Sequence, residues 1–284
     1  MSVLNAILRT VFDGLLFPFR TLPPWVGLTV TALLTAIAML PVVKATSNQQ
    51  GMEAIKRQMS AGWFEIRLFN DDLRAIMRAQ MELLWSNLKY LGLWLVPMLW
   101  LFIPFGMVAA QLQFHYGYHG LEPGQQALVK VQLKEGAQQG TWAGAGSAEE
   151  GPKATLEVPE GLRVETPAVW IPSLGELGWR IAAESWGDYE IAVEMGGESW
   201  SKSVRVSEDV VRRSPIRVGP SFLDMVLYPA EDPLPADSPI ESITVTYSED
   251  GNILFLPRDL WMIPWIVLII LFAFALKSRF DVTI

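Results

Sequence analysis

Residues 47–112 read SNQQGMEAIKRQMSAGWFEIRLFNDDLRAIMRAQMELLWSNLKYLGLWLVPMLWLFIPFGMVAAQL. In the first third, Met52, Ile55, Met59, Trp63, Ile66 and Phe69 recur every three or four positions, which predicts one apolar face of a helix over Gln49 to Phe69. The run Asn70-Asp71-Asp72 breaks the pattern, and Asp71 or Asp72 is placed to cap a second helix carrying Leu73, Met77, Met81, Leu84, Leu88 and Leu91. Two amphipathic helices joined by so short a turn are expected to pack antiparallel. No stop signal follows at Lys89-Tyr90, so the second helix runs directly into Leu91 to Leu112, an uncharged segment of membrane-spanning length. A helical hairpin over 44–90 therefore stands on a transmembrane helix over 91–112.

The remainder of the chain is segregated around this stretch. Of 284 residues, 51% are hydrophobic and only 18% charged, and the charges are excluded from three blocks: Trp25 to Val43, Leu91 to Leu112 and Trp261 to Leu276. The domain plan that follows is an interfacial helix over 1–24, spans over 25–43, 91–112 and 260–277, a polar region over 113–259 and a tail over 278–284. The third block is short: 16 residues reach roughly 24 Å at 1.5 Å per residue, under a hydrocarbon thickness of about 30 Å. Either its helix begins earlier, at Leu254 or Leu256, or the bilayer thins around it. The chain has no cysteine, which removes disulfides and thiolate chemistry. Most of the net charge of -8 comes from residues 113–258, where 22 Asp and Glu face 11 Lys and Arg, a surface unsuited to nucleic acid.

Residues 1–24 carry Leu4, Ile7, Leu8, Val11, Leu15 and Leu16 on one side, with Pro18 and Pro23-Pro24 bending the chain, and read as a helix lying on the membrane. The first span carries Gly27, Thr31, Thr35 and Ala38, either a small-residue face for close packing or a mildly polar lining open to an incoming segment. Pro97 and Pro104 each remove a backbone donor from the second span, which is expected to bend and to face protein or a wet cavity there. Seven Lys and Arg between Lys44 and Lys89, with Lys277 and Arg279 in the tail, predict a cytoplasmic hairpin and C-terminus. The N-terminus and residues 113–259 then lie outside the cytoplasm. Within that region the period changes to two: Ala127 to Lys134, Ala154 to Val158, Val164 to Ile171, Trp179 to Ser185, Tyr189 to Met195, Ser201 to Val206 and Ile243 to Tyr247 predict strands of a β-sandwich. The stretch Gly187 to Val193 resembles the strand that bears the tyrosine corner of immunoglobulin-like and fibronectin-like domains. Gly136 to Lys153 reads as a loop and Tyr228 to Pro239, with four prolines, as an extended strap.

Little here points to catalysis. His115 and His119, with Glu122, have a spacing that suits a metal only on a helix, and Gly117, Gly120 and Pro123 argue against one; no metal and no cofactor is expected. No nucleophile and base arrangement is present, and no ionisable residue lies within a span, so the chain is read as a non-enzyme and not as a proton pump. The adaptable residues Met52, Met59, Met77 and Met81, beside Trp63 and Trp85, suit a surface that accepts varied apolar helices, or simple packing of the two hairpin helices on each other.

The order of parts, together with Arg74 to Met81 leading into Asn87 to Tyr90, then Leu95-Val96-Pro97-Met98-Leu99-Trp100 and Phe102-Ile103-Pro104-Phe105, resembles the YidC-type membrane insertase superfamily. It is most similar to the three-span branch found in archaea and in the endoplasmic reticulum membrane complex. Two departures stand out: no Lys or Arg lies within the spans, and the β-region sits between the second and third spans, whereas YidC carries its own after the first. The resemblance implies a bacterial inner-membrane protein that assists insertion of hydrophobic segments, with Met52, Met59, Met77, Met81, Thr31 and Thr35 contacting the client and Pro97 and Pro104 kinking the second span. Its partners would be the lipid bilayer, nascent membrane segments and the ribosome. The competing expectation is a scaffold subunit of an envelope complex whose β-sandwich binds an extracytoplasmic protein.

Overall fold

Residues 2–68, 73–135, 152–247, 252–253 and 256–282 are described by a computed structural model. The hairpin turn with its expected Asp71 or Asp72 cap, and residues 136–151 of the expected loop, lie outside them. The chain divides into two units, one of Met1–Gly27 with Ala109–Met262 and the other of Leu28–Val108 with Ile263–Ile284.

The second unit is helical. Helix α1 (Ser2–Leu16) belongs to the other unit; α2 (Pro24–Thr46) starts on Pro24, where the missing N–H would be unsatisfied in any case, and continues past Pro41. Helix α3 (Gln49–Leu68) is followed by α4 (Leu73–Tyr116), whose 44 residues are unbroken through Pro97 and Pro104. At 1.5 Å per residue α4 is roughly 66 Å long, about twice a bilayer core. Lys56 Nζ lies 5.7 Å from the Tyr90 ring and a Cβ on Gly62 would sit 3.0 Å from Leu83, so α3 and α4 run antiparallel, side by side. Helix α6 (Met262–Phe280) completes the unit. Leu40, Val43 and Val282 form a cluster joined by Trp94, Leu101, Ala273, Leu276 and Phe280, and Lys44 donates to the Phe280 carbonyl at 2.9 Å. Phe105 meets Trp265 with centroids 5.1 Å apart, so α4 is antiparallel to α6.

The third helix is longer than its uncharged block, because it runs on through Lys277 and Arg279. Leu256 lies in a strand, helical structure begins with a single 3-10 turn at Arg258, and α6 extends through Lys277 and Arg279 to Phe280. Its 19 residues reach roughly 28 Å, close to a bilayer core. The extension past Leu276 is stabilised by basic residues in the last turn, complementary to the helix dipole, and by Asp281, whose positive φ of 56° closes the end as Val282 N–H donates to the Lys277 carbonyl at 3.0 Å. Among the described residues three helices are thus long and apolar enough to cross a membrane, and the protein is a membrane protein.

The first unit contains a separate antiparallel β-sheet region. One sheet has strand order β3-β5-β1-β9-β8, where β1 is Gln126–Leu133, β3 Leu162–Val164, β5 Glu176–Ala183, β8 Ile216–Val218 and β9 Ile240–Val245; β4 (Val169–Ile171) also pairs with β5. The other has order β2-β6-β7, with β2 Ala154–Glu157, β6 Gly187–Met195 and β7 Glu198–Val206. A two-residue pair, β10 (Asn252–Ile253) and β11 (Leu256–Pro257), precedes α6. Alternation works as expected in β1, where Ala127, Val129, Val131 and Leu133 are buried, and the two sheets share one core through Trp179, Ile181, Ile191, Val193, Trp200 and Val204. The single strand expected over Val164 to Ile171 is two. Pro167 removes a donor between them, and Glu165 N–H and Thr166 Oγ1 bond the Arg180 carbonyl and N–H instead. The Tyr189 hydroxyl turns back to donate to the Ser185 carbonyl at 3.0 Å. The strap at 228–239 buries Ala230 and Leu234, and Leu234 N–H donates to Val218 at 2.8 Å.

Candidate functional site

The residues singled out for client contact all fall in the helical unit, and the structure separates them. Met52 is fully buried and Met59 partly so, whereas Met77 and Met81 are exposed. Helix α4 presents Ala79, Leu83 and Ser86 inward, spaced four and three apart, with Leu83 against Gly62 of α3. The more hydrophobic series Leu73, Met77, Met81, Leu84, Leu88 and Leu91, which the periodicity marked as the packing face, points away from α3. Leu83 fills the space that Gly62 leaves on α3, while the larger series stays exposed. The outward series continues without a break into the candidate span as Leu95, Met98, Leu99 and Phe102, all exposed. Trp63, Phe64 and Trp85 are exposed beside its first half.

Thr31 and Thr35, at 2% and 7% exposure, lie on the buried face of α2 with Leu28, Ala32, Ala36 and Leu40, while Ala38 is exposed. Their hydroxyls donate to Leu28 and Thr31 carbonyls of their own helix at 2.9 and 2.7 Å. That satisfies both donors locally on a buried face, the first of the two alternatives the sequence offered. Pro97 is buried, as expected of a helix residue turned toward protein, but Pro104 is exposed. In the most apolar window of each candidate span, 44% of residues are buried in α2 against 11% in α4. Helix α4 thus offers most of its circumference to its surroundings.

The β-region holds polar sites that the sequence did not announce. Strand β7 alternates Trp200, Lys202, Val204 and Val206 inward, so its register carries a lysine into the core. Lys202 Nζ is 2.7 Å from Glu231 of the strap and donates to the Ser214 and Ser203 carbonyls at 2.6 and 3.1 Å. Glu231 also accepts from Ser203 N–H and the Ser214 hydroxyl, each at 2.8 Å. Burial pushes its carboxyl up, but Lys202 and these donors outweigh that and hold it below the usual carboxylate range. Together with Arg217 on the Ser201 carbonyl and Tyr247 accepting from Arg205 N–H, Glu231 closes the free edge of β7 with side chains. Burial pushes the Tyr247 phenol up to about 12.

A second network joins α1 to this region. Asp13 accepts from Arg212 at 2.9 Å and from His115 Nε2 at 3.2 Å, and His115 Nδ1 faces the Gln111 carbonyl at 3.0 Å. Burial pushes the Asp13 carboxyl up; the His115 hydrogen bond and the Arg212 charge outweigh it and hold it below the usual range. His119 faces the Gly120 carbonyl instead, so the two histidines have separate partners. Among the described residues no group of three His, Cys, Asp or Glu is placed to hold a metal ion.

Fold and surfaces define a class: an integral membrane protein with three candidate spans, an antiparallel helix pair and a two-sheet β-region. In comparisons with protein-family models, curated proteins and solved structures, none matches the chain.

Proposed function

We propose that the chain is an insertase-like protein of the bacterial inner membrane, one that assists entry of hydrophobic segments into the bilayer without catalysing a covalent reaction. The observation that carries this reading is the outward apolar series of α4, which runs from Leu73 through Met77, Met81, Leu84, Leu88 and Leu91 to Leu95, Leu99 and Phe102 on one continuous helix. An apolar segment arriving from a ribosome or a targeting factor would meet this series on the cytoplasmic hairpin and follow it into the hydrocarbon. Polar or unpaired backbone groups in an entering segment face a barrier of several kcal/mol each, and a continuous apolar track shortens the distance over which they stay unsatisfied. Met77 and Met81, unbranched and exposed, suit clients of varied shape. Lys44, Lys277 and Arg279, with the basic residues of the hairpin, support a cytoplasmic hairpin and C-terminus. The immunoglobulin-like β-sandwich, its Tyr189 hydroxyl folded back on Ser185, would then lie outside the cytoplasm.

Photo-crosslinkers at Met77 and Met81 in living cells test the reading. Adducts with short-lived nascent membrane proteins are expected, together with faster insertion of a short-tailed reporter into vesicles containing the protein. Unchanged insertion, with adducts to a single long-lived neighbour, would sink it. That outcome would move the assignment to a scaffold subunit, a reading favoured by the β-region, which is about half the chain and has its own core.

A further inference from the structure

Helix α1 is amphipathic in the opposite sense to a water-facing surface helix. Its polar residues Asn5, Arg9 and Asp13, four apart, are turned toward the β-region. Asn5 Nδ2 donates to the Met225 carbonyl at 2.7 Å, Arg9 pairs with Asp232, and Asp13 bonds Arg212 and His115. Val3, Leu4, Ile7 and Val11 are left on the outside. The Asn5 bond sets α1 beside a short helix, α5 (Phe222–Leu227), in a stretch the sequence left unassigned. Four of its six residues are large, apolar and exposed: Phe222, Leu223, Val226 and Leu227, with Leu223 at 68% and Leu227 at 60%. Two adjacent helices therefore present large apolar side chains outward while the charged residues of α1 are turned inward, with Thr10 exposed but bonded to the Ala6 carbonyl of its own helix, an arrangement that water disfavours and a bilayer interface favours.

Covalent continuity says what that medium is. Only residues 17–23 separate α1 from α2, which is long and apolar enough to span a membrane, so α1 is tethered at a membrane face. Seven residues reach at most about 25 Å even when extended, and Phe17–Phe19 are already wound into a 3-10 turn. Arg20, exposed and 4.7 Å from the Phe17 ring, is in the position where an interfacial cation meets headgroups. We propose that α5 inserts beside α1 into the boundary between lipid headgroups and acyl chains, a second anchor that lays the β-region on the membrane surface. The inference rests on α2 crossing a membrane and not on the insertase reading.

The cysteine-free chain allows a direct test. Leu223→Cys, Leu227→Cys and Ile7→Cys, with Leu174→Cys on an exposed β-region loop as the aqueous reference, are spin-labelled in the full chain. Each is reconstituted in vesicles of phosphatidylethanolamine and phosphatidylglycerol. Collision rates with oxygen, which concentrates in acyl chains, and with a water-soluble nickel chelate are then compared. The expected result is an oxygen-to-nickel ratio at 223 and 227 several-fold above that at 174 and similar to that at 7. A ratio at 223 and 227 equal to that at 174 would overturn the proposal. So would immobilised labels reached by neither reagent, which would assign the surface to a protein neighbour, including a second copy of this chain.

Discussion

The β-region and α4 solve opposite problems with the same residue types. In the β-region, Val, Ile and Trp face inward at every second position, and a charge that β7 carries inward, Lys202, is met by Glu231. In α4, Leu, Met and Phe face outward along most of the helix, and the residues turned inward near α3 are Ala79, Leu83 and Ser86. The first pattern is that of a chain folding in water, where apolar area leaves the solvent. Over the candidate span the second pattern is that of a helix in apolar surroundings, where large side chains can face out. The comparison sets a unit with a buried core beside one with an exposed apolar helix, and substitutions can break either half of it.

The largest expected effect is in the β-region. Glu231→Gln leaves the Lys202 ammonium in the core without its counter-charge, and removing one partner of a buried pair costs about 3–5 kcal/mol. The check is the shift in thermal or denaturant unfolding of the β-region in the detergent-solubilised protein. Adding Lys202→Met to that variant removes the stranded charge, and much of the loss should return. A double variant as unstable as the single would show that packing, not the charge, sets the cost. Since Glu231 is held below its ordinary value, its stabilisation is complete above about pH 4.5 and is lost as pH falls through the lowered folded-state value.

Next in size is the α3–α4 seam. Gly62→Leu drives a branched side chain into Leu83, which a Cβ alone already approaches at 3.0 Å, and overpacking of this kind costs about 1–3 kcal/mol. A disulfide-trapping or spin-spin distance between labels on the two helices should lengthen in the variant. An unchanged distance would mean that the pair is held from elsewhere.

Smaller still is Asp13→Asn, which removes the carboxylate between Arg212 and His115. Asp13 is partly exposed, so the loss should be about 1 kcal/mol, read as faster hydrogen exchange in α1 with little change in the β-region. The depressed Asp13 gives the sign of the pH effect: docking is complete above about pH 3.8 and weakens as pH falls through the lowered value, a transition the Asn variant should lack.

These sites differ in how visible they were beforehand. Period-two alternation named β1, β5, β6 and β7 because a half-buried strand has two sides and a core selects one of them. Lys202 was hidden because its partner is 29 residues away in a proline-rich strap, a contact that depends on tertiary packing and leaves no local signal. The inward face of α4 was misassigned because hydrophobic periodicity reports where apolar residues cluster and not which side of them a neighbouring helix takes. Gly62, which leaves room for Leu83, carried the needed signal. Helix α5 was missed for its length: six residues are under two turns, too few for a period to show.

The smallest stability effect belongs to the substitution that bears most on function. Met77→Ser with Met81→Ser changes two exposed side chains, and exposed changes of this kind usually stay within about 0.5 kcal/mol. Unfolding of the helical unit should therefore be unaltered. If the outward series of α4 is a track for apolar segments, two hydroxyls in its cytoplasmic half interrupt it, and insertion of the short-tailed reporter should slow while Met52→Leu, at a buried position, leaves the rate unchanged. If the series instead seats one permanent neighbour, the double variant should lose that neighbour from the solubilised complex. Stability alone does not separate the two, because neither makes Met77 or Met81 part of the folded interior; the insertion rate does.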